Sequence, residues 1–370
     1  MQTGDLPLAI EALGYDKETI DINMHIGYCR NILRDSFHRI SFKDVDGVGS
    51  RYEGLESGIS VTEASKLPDT DLVLNLTDFD VQPWNGSDVI HKINAEKDLK
   101  IIPCPNFPGY VKLKLLKPIP GFGNFLHNYT FDEEICSPEI QREPELRTAK
   151  RTKNGPASSN YNDVGHNIVL KTDIVTCVAY KTWPCEANKW ISRNKPNSWP
   201  SKELIQTIKS RGFNLAPVGH YDSIDKAFQW RIGIRGEMEL VRNLNETQTL
   251  CHIALRLILK DHIQLIQKDV LSSYHMKNVI FWCAEQESCQ WTKENFEICL
   301  ETCINRLIHF LTSGHFPHYF IEDRNLINSK TTLELKKRIV LALTKYKCNI
   351  LAILSLNSFD QLNKLTNLKT

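Results

Sequence analysis

The spacing of the apolar residues changes character near residue 180. Before it, DTDLVLNL (69–76), GYVKLKLL (109–116) and HNIVLKTDIVTCVAY (166–180) alternate. Successive side chains of a strand point to opposite faces, so alternation predicts strands. After it, apolar residues recur every three or four positions. In FEICLETCINRLIHFLTSG (296–314), Phe296, Cys299, Leu300, Cys303, Leu307, Phe310 and Leu311 share one helical face, and Gly314 stops the helix. WPSKELIQTIKSRGFNL predicts a helix capped by Ser201 and ended by Gly212, and Asn245 with Gln248 forms a capping-box pattern before another. A further helix is predicted over 15–40. Strands gathered ahead of helices argue for an α+β fold. The natural division is a core over 1–180 and a mostly helical lobe over 181–370. Residues 147–160, RTAKRTKNGPASSN, read as a mobile basic loop.

Within the first predicted strand, Asp69 and Asp71 are two residues apart and share a face, opposite Leu72, Leu74 and Leu76. Neighbouring carboxylates repel, and a cation between them relieves the repulsion. The plain alternative is a solvated strand end. TDFDV (77–81) offers a competing pair, Asp78 and Asp80. Asp173 lies in the middle of a long apolar strand and needs a positive partner of some kind, whether Lys171, an arginine or a metal ion.

With 45 basic and 44 acidic residues, formal net charge is +1, so no global field marks the chain for nucleic acid. No apolar run reaches membrane-spanning length, and the N-terminus lacks a secretory pattern. Eleven cysteines occur without a CxxC pair, the usage of reduced thiols in a cytoplasmic protein.

Six stretches recur together in one order: DIVTCVAYKTWP (173–184), SWPSKELIQ (198–206), FNLAPVGH (213–220), WRIGI (230–234), LSSYHMKNVIFW (271–282) and GHFPHYFIEDRNLI (314–327). In these the chain resembles the Mab-21 family, which includes cyclic GMP–AMP synthase and the cGAS-like receptors. The resemblance implies a nucleotidyltransferase fold, a mixed sheet flanked by helices with a C-terminal helical lobe across a cleft. It implies that Asp69, Asp71 and Asp173 hold Mg²⁺ or Mn²⁺ and are catalytic. The Gly49-Ser50 turn would cradle phosphates, and Arg231, Ser273, Tyr274 and Lys277 would bind nucleotide, Tyr274 by stacking. Glu237 is a weaker carry-over, because the spacing after Arg231 is one residue short.

The activity implied is the joining of nucleoside triphosphates, ATP and GTP among them, into a cyclic dinucleotide. Double-stranded RNA is the expected activator, and no membrane partner is expected. Three departures bear on this. Gly233 stands where relatives often have serine. Leu259, beside Lys260, stands where they have lysine. KDHIQLIQKDVLSSYH (260–275) runs through without the zinc-binding insertion of the vertebrate enzyme, so no zinc is expected. Two other readings stay open: a scaffold that keeps the fold without catalysis, and an enzyme that extends RNA ends.

Overall fold

The computed structural model describes residues 45–48, 70–76, 78–81, 91–116, 126–127, 135–136, 139–140, 151–154, 157–163 and 169–347. The predicted helix over 15–40, the Gly49-Ser50 turn and Asp69 lie outside the described residues.

Fourteen strands are described: β1 (Val45–Val48), β2 (Thr70–Leu76), β3 (Asp78–Val81), β4 (His91–Asn94), β5 (Leu99–Pro103), β6 (Tyr110–Leu115), β7 (Leu126–His127), β8 (Ile135–Cys136), β9 (Glu139–Ile140), β10 (Arg151–Asn154), β11 (Ala157–Asp163), β12 (Val169–Tyr180), β13 (Phe213–Ala216) and β14 (Gln229–Ile234). Ten of them form one mixed sheet whose main path runs β1-β2-β12-β13-β14-β6-β5. β2 and β12 are parallel, and the other described pairings of the sheet are antiparallel. β3 pairs with β4 in a two-stranded sheet of its own, so the competing acids Asp78 and Asp80 sit outside the large sheet.

β12 is twelve residues long and serves three neighbours. One edge follows β2, while the other pairs first with β11 and then with β13. The expected loop over 147–160 is therefore corrected in part, since β10 and β11 form a hairpin that begins within it and runs on to Asp163. These residues carry no apolar alternation, which hid the hairpin. β11 is held by covering the open edge of β12, where unpaired backbone groups would otherwise face water. Two strands beyond residue 180, β13 and β14, complete the same sheet.

The register gives the sheet two unlike faces. One carries Val178 and Tyr180, Phe213 and Leu215, Trp230, Ile232 and Ile234, Val111 and Leu113, and Leu99, all buried. They join a single hydrophobic cluster with the helices. Trp230, fully buried, is core as its composition suggests. The other face mixes small apolar residues, Cys177, Ala179 and Ala216 among them, with polar ones, and by register positions 71 and 173 lie on it.

The α-helices of six or more residues among the described residues are α1 (Lys202–Arg211), α2 (Glu237–Arg242), α3 (Glu246–Ile258), α4 (Ser273–Gln286), α5 (Phe296–Ser313) and α6 (Leu333–Lys347). Their ends follow the sequence signals. Ser201 Oγ accepts the Leu204 N–H at 3.2 Å, and Asn245 and Gln248 exchange both bonds of a capping box. Gly212 ends α1 at φ +70°, where an added Cβ would meet the Tyr180 carbonyl oxygen at 2.1 Å. Gly314 ends α5 in the left-handed region. The expected apolar stripe of α5 is buried along its length, and the eight cysteines whose side chains are described are free thiols. Among the described residues no helix is long and apolar enough to cross a membrane.

Candidate functional site

β2 and β12 bring Asp71 and Asp173 into direct register. Adjacent strands lie about 4.8 Å apart, and in-register positions share a face. Two aspartates in register on adjacent strands are the type of oxygen-donor pair that a divalent cation such as Mg²⁺ or Mn²⁺ takes. Asp173 is half-buried, and Ser159 of β11 lies in register on its other side. Among the described residues no three His, Cys, Asp or Glu side chains gather in a way that could hold a metal ion, and Asp69, the third candidate acid, lies outside them.

Following the register outward, the same face carries Asn75, Asn214, Gly233, Arg231, Tyr110, Lys112 and Lys114. Arg231 thus shares a sheet face with Asp71 and Asp173. Lys112 pairs with Asp225 at 2.9 Å.

The replacement of serine by Gly233 now has a steric reason. Asn214 lies opposite it on β13, and a Cβ at position 233 would approach Asn214 Oδ1 to 2.6 Å. Asn214 in turn donates from Nδ2 to Oδ1 of the buried Asn75, at 3.2 Å. A polar bridge thereby spans β2 and β13 on the acid face. Gly233→Ser is expected to push Asn214 aside and cost about 1–3 kcal/mol, as overpacking does. Urea denaturation checks this, and Asn214→Ala in the same chain should recover most of the loss.

Tyr274 and Lys277, both on α4, converge on Glu237, the first residue of α2. Lys277 is buried and its Nζ lies 3.0 Å from Glu237 Oε1. The Tyr274 hydroxyl is 3.2 Å from Glu237 Oε2 and 2.8 Å from Nε2 of the buried His318. Hydrogen bonding fixes the direction of this chain. His318 Nδ1 accepts the N–H groups of Phe320 and Ile321, so it carries no proton. Burial, with Arg324, Arg231 and Arg193 near, holds His318 well below its ordinary pKa and therefore neutral. The proton sits on Nε2 and is donated to the Tyr274 oxygen, whose own hydrogen goes to Glu237. Burial, then the Glu237 charge, raises the Tyr274 pKa and keeps the phenol protonated. Ser273, at the start of α4, is exposed.

Sequence reasoning assigned no role to His318, Arg324, Asn75 or Asn214. His318 lies 44 residues from Tyr274 in sequence, and no local spacing announces such a pair. Asn75 and Asn214 are 139 residues apart and meet only through the sheet.

Comparison with known proteins agrees with this architecture. The Mab-21 protein nucleotidyltransferase domain matches residues 124–233, which include Asp173 and Arg231. The Mab-21 protein HhH/H2TH-like domain matches residues 247–341, which include Tyr274, Lys277 and His318. Positions 49, 50, 69 and 71 lie upstream of both matches. Protein mab-21-like 3 of Danio rerio is 28% identical over 141 residues, covering 37% of this chain and 35% of that protein. Protein mab-21-like 3 of Xenopus laevis is 24% identical over 141 residues, 37% of this chain and 36% of that protein. The alignment thus spans about a third of the length of these curated relatives. With two consecutive family domains matched over more than half of its residues, and the mixed sheet and helical region they require, the chain belongs to the Mab-21 family.

Proposed function

We propose that this chain is a metal-dependent nucleotidyltransferase that joins ATP and GTP into a cyclic dinucleotide. In this reading double-stranded RNA switches it on, as an innate immune sensor of the cytoplasm. The observation that carries the reading is the register of Asp71 with Asp173 on the sheet face that also bears Arg231. Asp69, Asp71 and Asp173 would hold Mg²⁺ or Mn²⁺, which when bound lowers the pKa of an attacking hydroxyl and neutralises phosphate charge. The chain's own groups then orient the substrates. Gly49 and Ser50 would let backbone N–H groups approach a triphosphate. The Arg231 guanidinium offers paired donors to a base edge or phosphate. Glu237 and His318 hold the Tyr274 ring in one orientation, as a stacking platform requires.

The test mixes purified full-length chain with Mn²⁺ or Mg²⁺, the four ribonucleoside triphosphates, and double-stranded RNA or DNA. A cyclic dinucleotide formed in an RNA-dependent manner is the expected product. Extension of a labelled RNA end would instead mark an end-adding enzyme. A second reading, a scaffold that keeps the fold without turnover, is favoured by the Lys277–Glu237 pair, which occupies a cation otherwise available to phosphate. Nucleotide-dependent thermal stabilisation without product would decide for it.

A further inference from the structure

A cavity of about 480 Å³ opens between the β5–β6 turn, the loop after β13 and the segment that follows α5. Asp173, Arg231, Tyr274 and Lys277 do not line it, but Arg324, which does, lies within electrostatic reach of Arg231, Tyr274 and His318, so the cavity adjoins the candidate nucleotide site.

One wall is aromatic. The His220 ring lies 4.6 Å from that of Phe107 and stacks 4.5 Å from that of Tyr221. The walls are tied together: the Ser329 N–H donates to the Tyr221 hydroxyl, and Ser329 Oγ donates to Asp222 Oδ1 at 2.7 Å. The cavity is thus preformed, as small-molecule sites usually are. His220 Nδ1 accepts the Asp222 N–H at 3.2 Å, and burial lowers the His220 pKa. The neutral ring therefore carries its proton on Nε2, which meets no acceptor among the described residues.

The other wall holds Arg324. Its stem lies against Gly109, where a Cβ would come within 2.8 Å of Arg324 Cδ, and its guanidinium is 5.2 Å from the Tyr110 ring centre. No carboxylate among the described residues pairs with it. The adjacent Asp323 is committed to Lys189 at 2.7 Å. A shielded cation without an anion is costly, and the charge of Arg231 nearby adds to the cost. Lys336 adds a second positive charge to the lining; of its two carboxylates, Asp222 removes one charge and Asp323 is offset from outside by Lys189. That balance suits one negative charge rather than a polyphosphate.

We propose that this cavity binds a small aromatic carboxylate, its ring against His220 and Tyr221 and its carboxylate on Arg324. A guanidinium accommodates a carboxylate through two parallel N–H donors. The probe is indole-3-carboxylate, with cyclohexanecarboxylate and inorganic phosphate as controls, in titration calorimetry and saturation-transfer NMR on the full chain. Saturable binding of the indole acid is expected, weakened about tenfold or more by Arg324→Met. Tyr221→Ala should weaken it by about threefold or more, as loss of a ring contact does. Excess ATP should leave it bound. Absence of saturable binding overturns the proposal, as do equal affinity for the cyclohexane acid or phosphate, and displacement by ATP. If Arg324→Met does not fold, Tyr221→Ala, altered at the surface, carries the test, and unchanged affinity in it overturns the proposal.

Discussion

On the proposed function, Asp173→Asn is expected to lower nucleotide joining by about 100- to 1,000-fold while the chain stays folded. The size follows from what loss of one preorganised charge in a low-dielectric site costs. Asparagine matches aspartate in shape, so β12 keeps its pairing with β2, β11 and β13. What disappears is one of two charges brought into register. Without it, the repulsion that a divalent cation relieves is gone, and with it much of the reason for the cation to bind. The informative measurement pairs turnover, in Mn²⁺ with the four nucleotides, with a thermal melt. Loss of turnover at an unchanged melting temperature supports the metal reading. Unchanged turnover in both Asp173→Asn and Asp71→Asn removes these carboxylates from the chemistry, whatever else the chain does.

The second large effect is on stability. Glu285, fully buried near the end of α4, is the hub of a charged network. Arg193 reaches it with two N–H groups, Nε at 2.5 Å and a terminal nitrogen at 3.0 Å. The Tyr319 hydroxyl donates to it at 2.6 Å and Gln286 Nε2 at 2.7 Å. Arg193 is also packed over the rings of Trp282 and Tyr319, at 4.1 and 4.6 Å. Glu285→Gln keeps the volume and strands the guanidinium. Breaking a buried ion pair from one side costs ~3–5 kcal/mol, because the remaining charge stays buried and unmatched. Chemical denaturation of the single variant should show that loss. Removing both partners, as Arg193→Met with Glu285→Met, should recover much of it. The network also matters to the candidate site. Tyr319 is chain neighbour to His318, and its N–H donates to Asn278 of α4 at 2.8 Å. The anchor at one end of α4 therefore steadies the group that aims Tyr274 near the other.

The elements with strong local signals were legible before any tertiary structure. β6 and β12 announce themselves by alternation, α1 by Ser201 and Gly212, α3 by Asn245 and Gln248, and α5 by its stripe and Gly314. Each signal is a contest between neighbours a few residues apart, which the chain carries in its own order. The β10–β11 hairpin was not legible, because its reason for existing is the free edge of a strand further along the chain. The candidate site divides in the same way. That Asp69 and Asp71 share a face follows from strand geometry alone. That Asp71 stands beside Asp173 rests on a parallel pairing, and pairing partners are not written in either strand.

Residue types and their periods determined that this chain builds strands first and helices after, with carboxylates on polar strand positions. Only the tertiary structure decided which strands are neighbours, and hence that Asp173, Asp71 and Arg231 occupy one face while Tyr274, Glu237 and His318 close a hydrogen-bonded chain. The physical reason is range: caps and alternation act over a turn or a pleat, whereas register and buried polar contacts are set by packing among segments far apart in sequence.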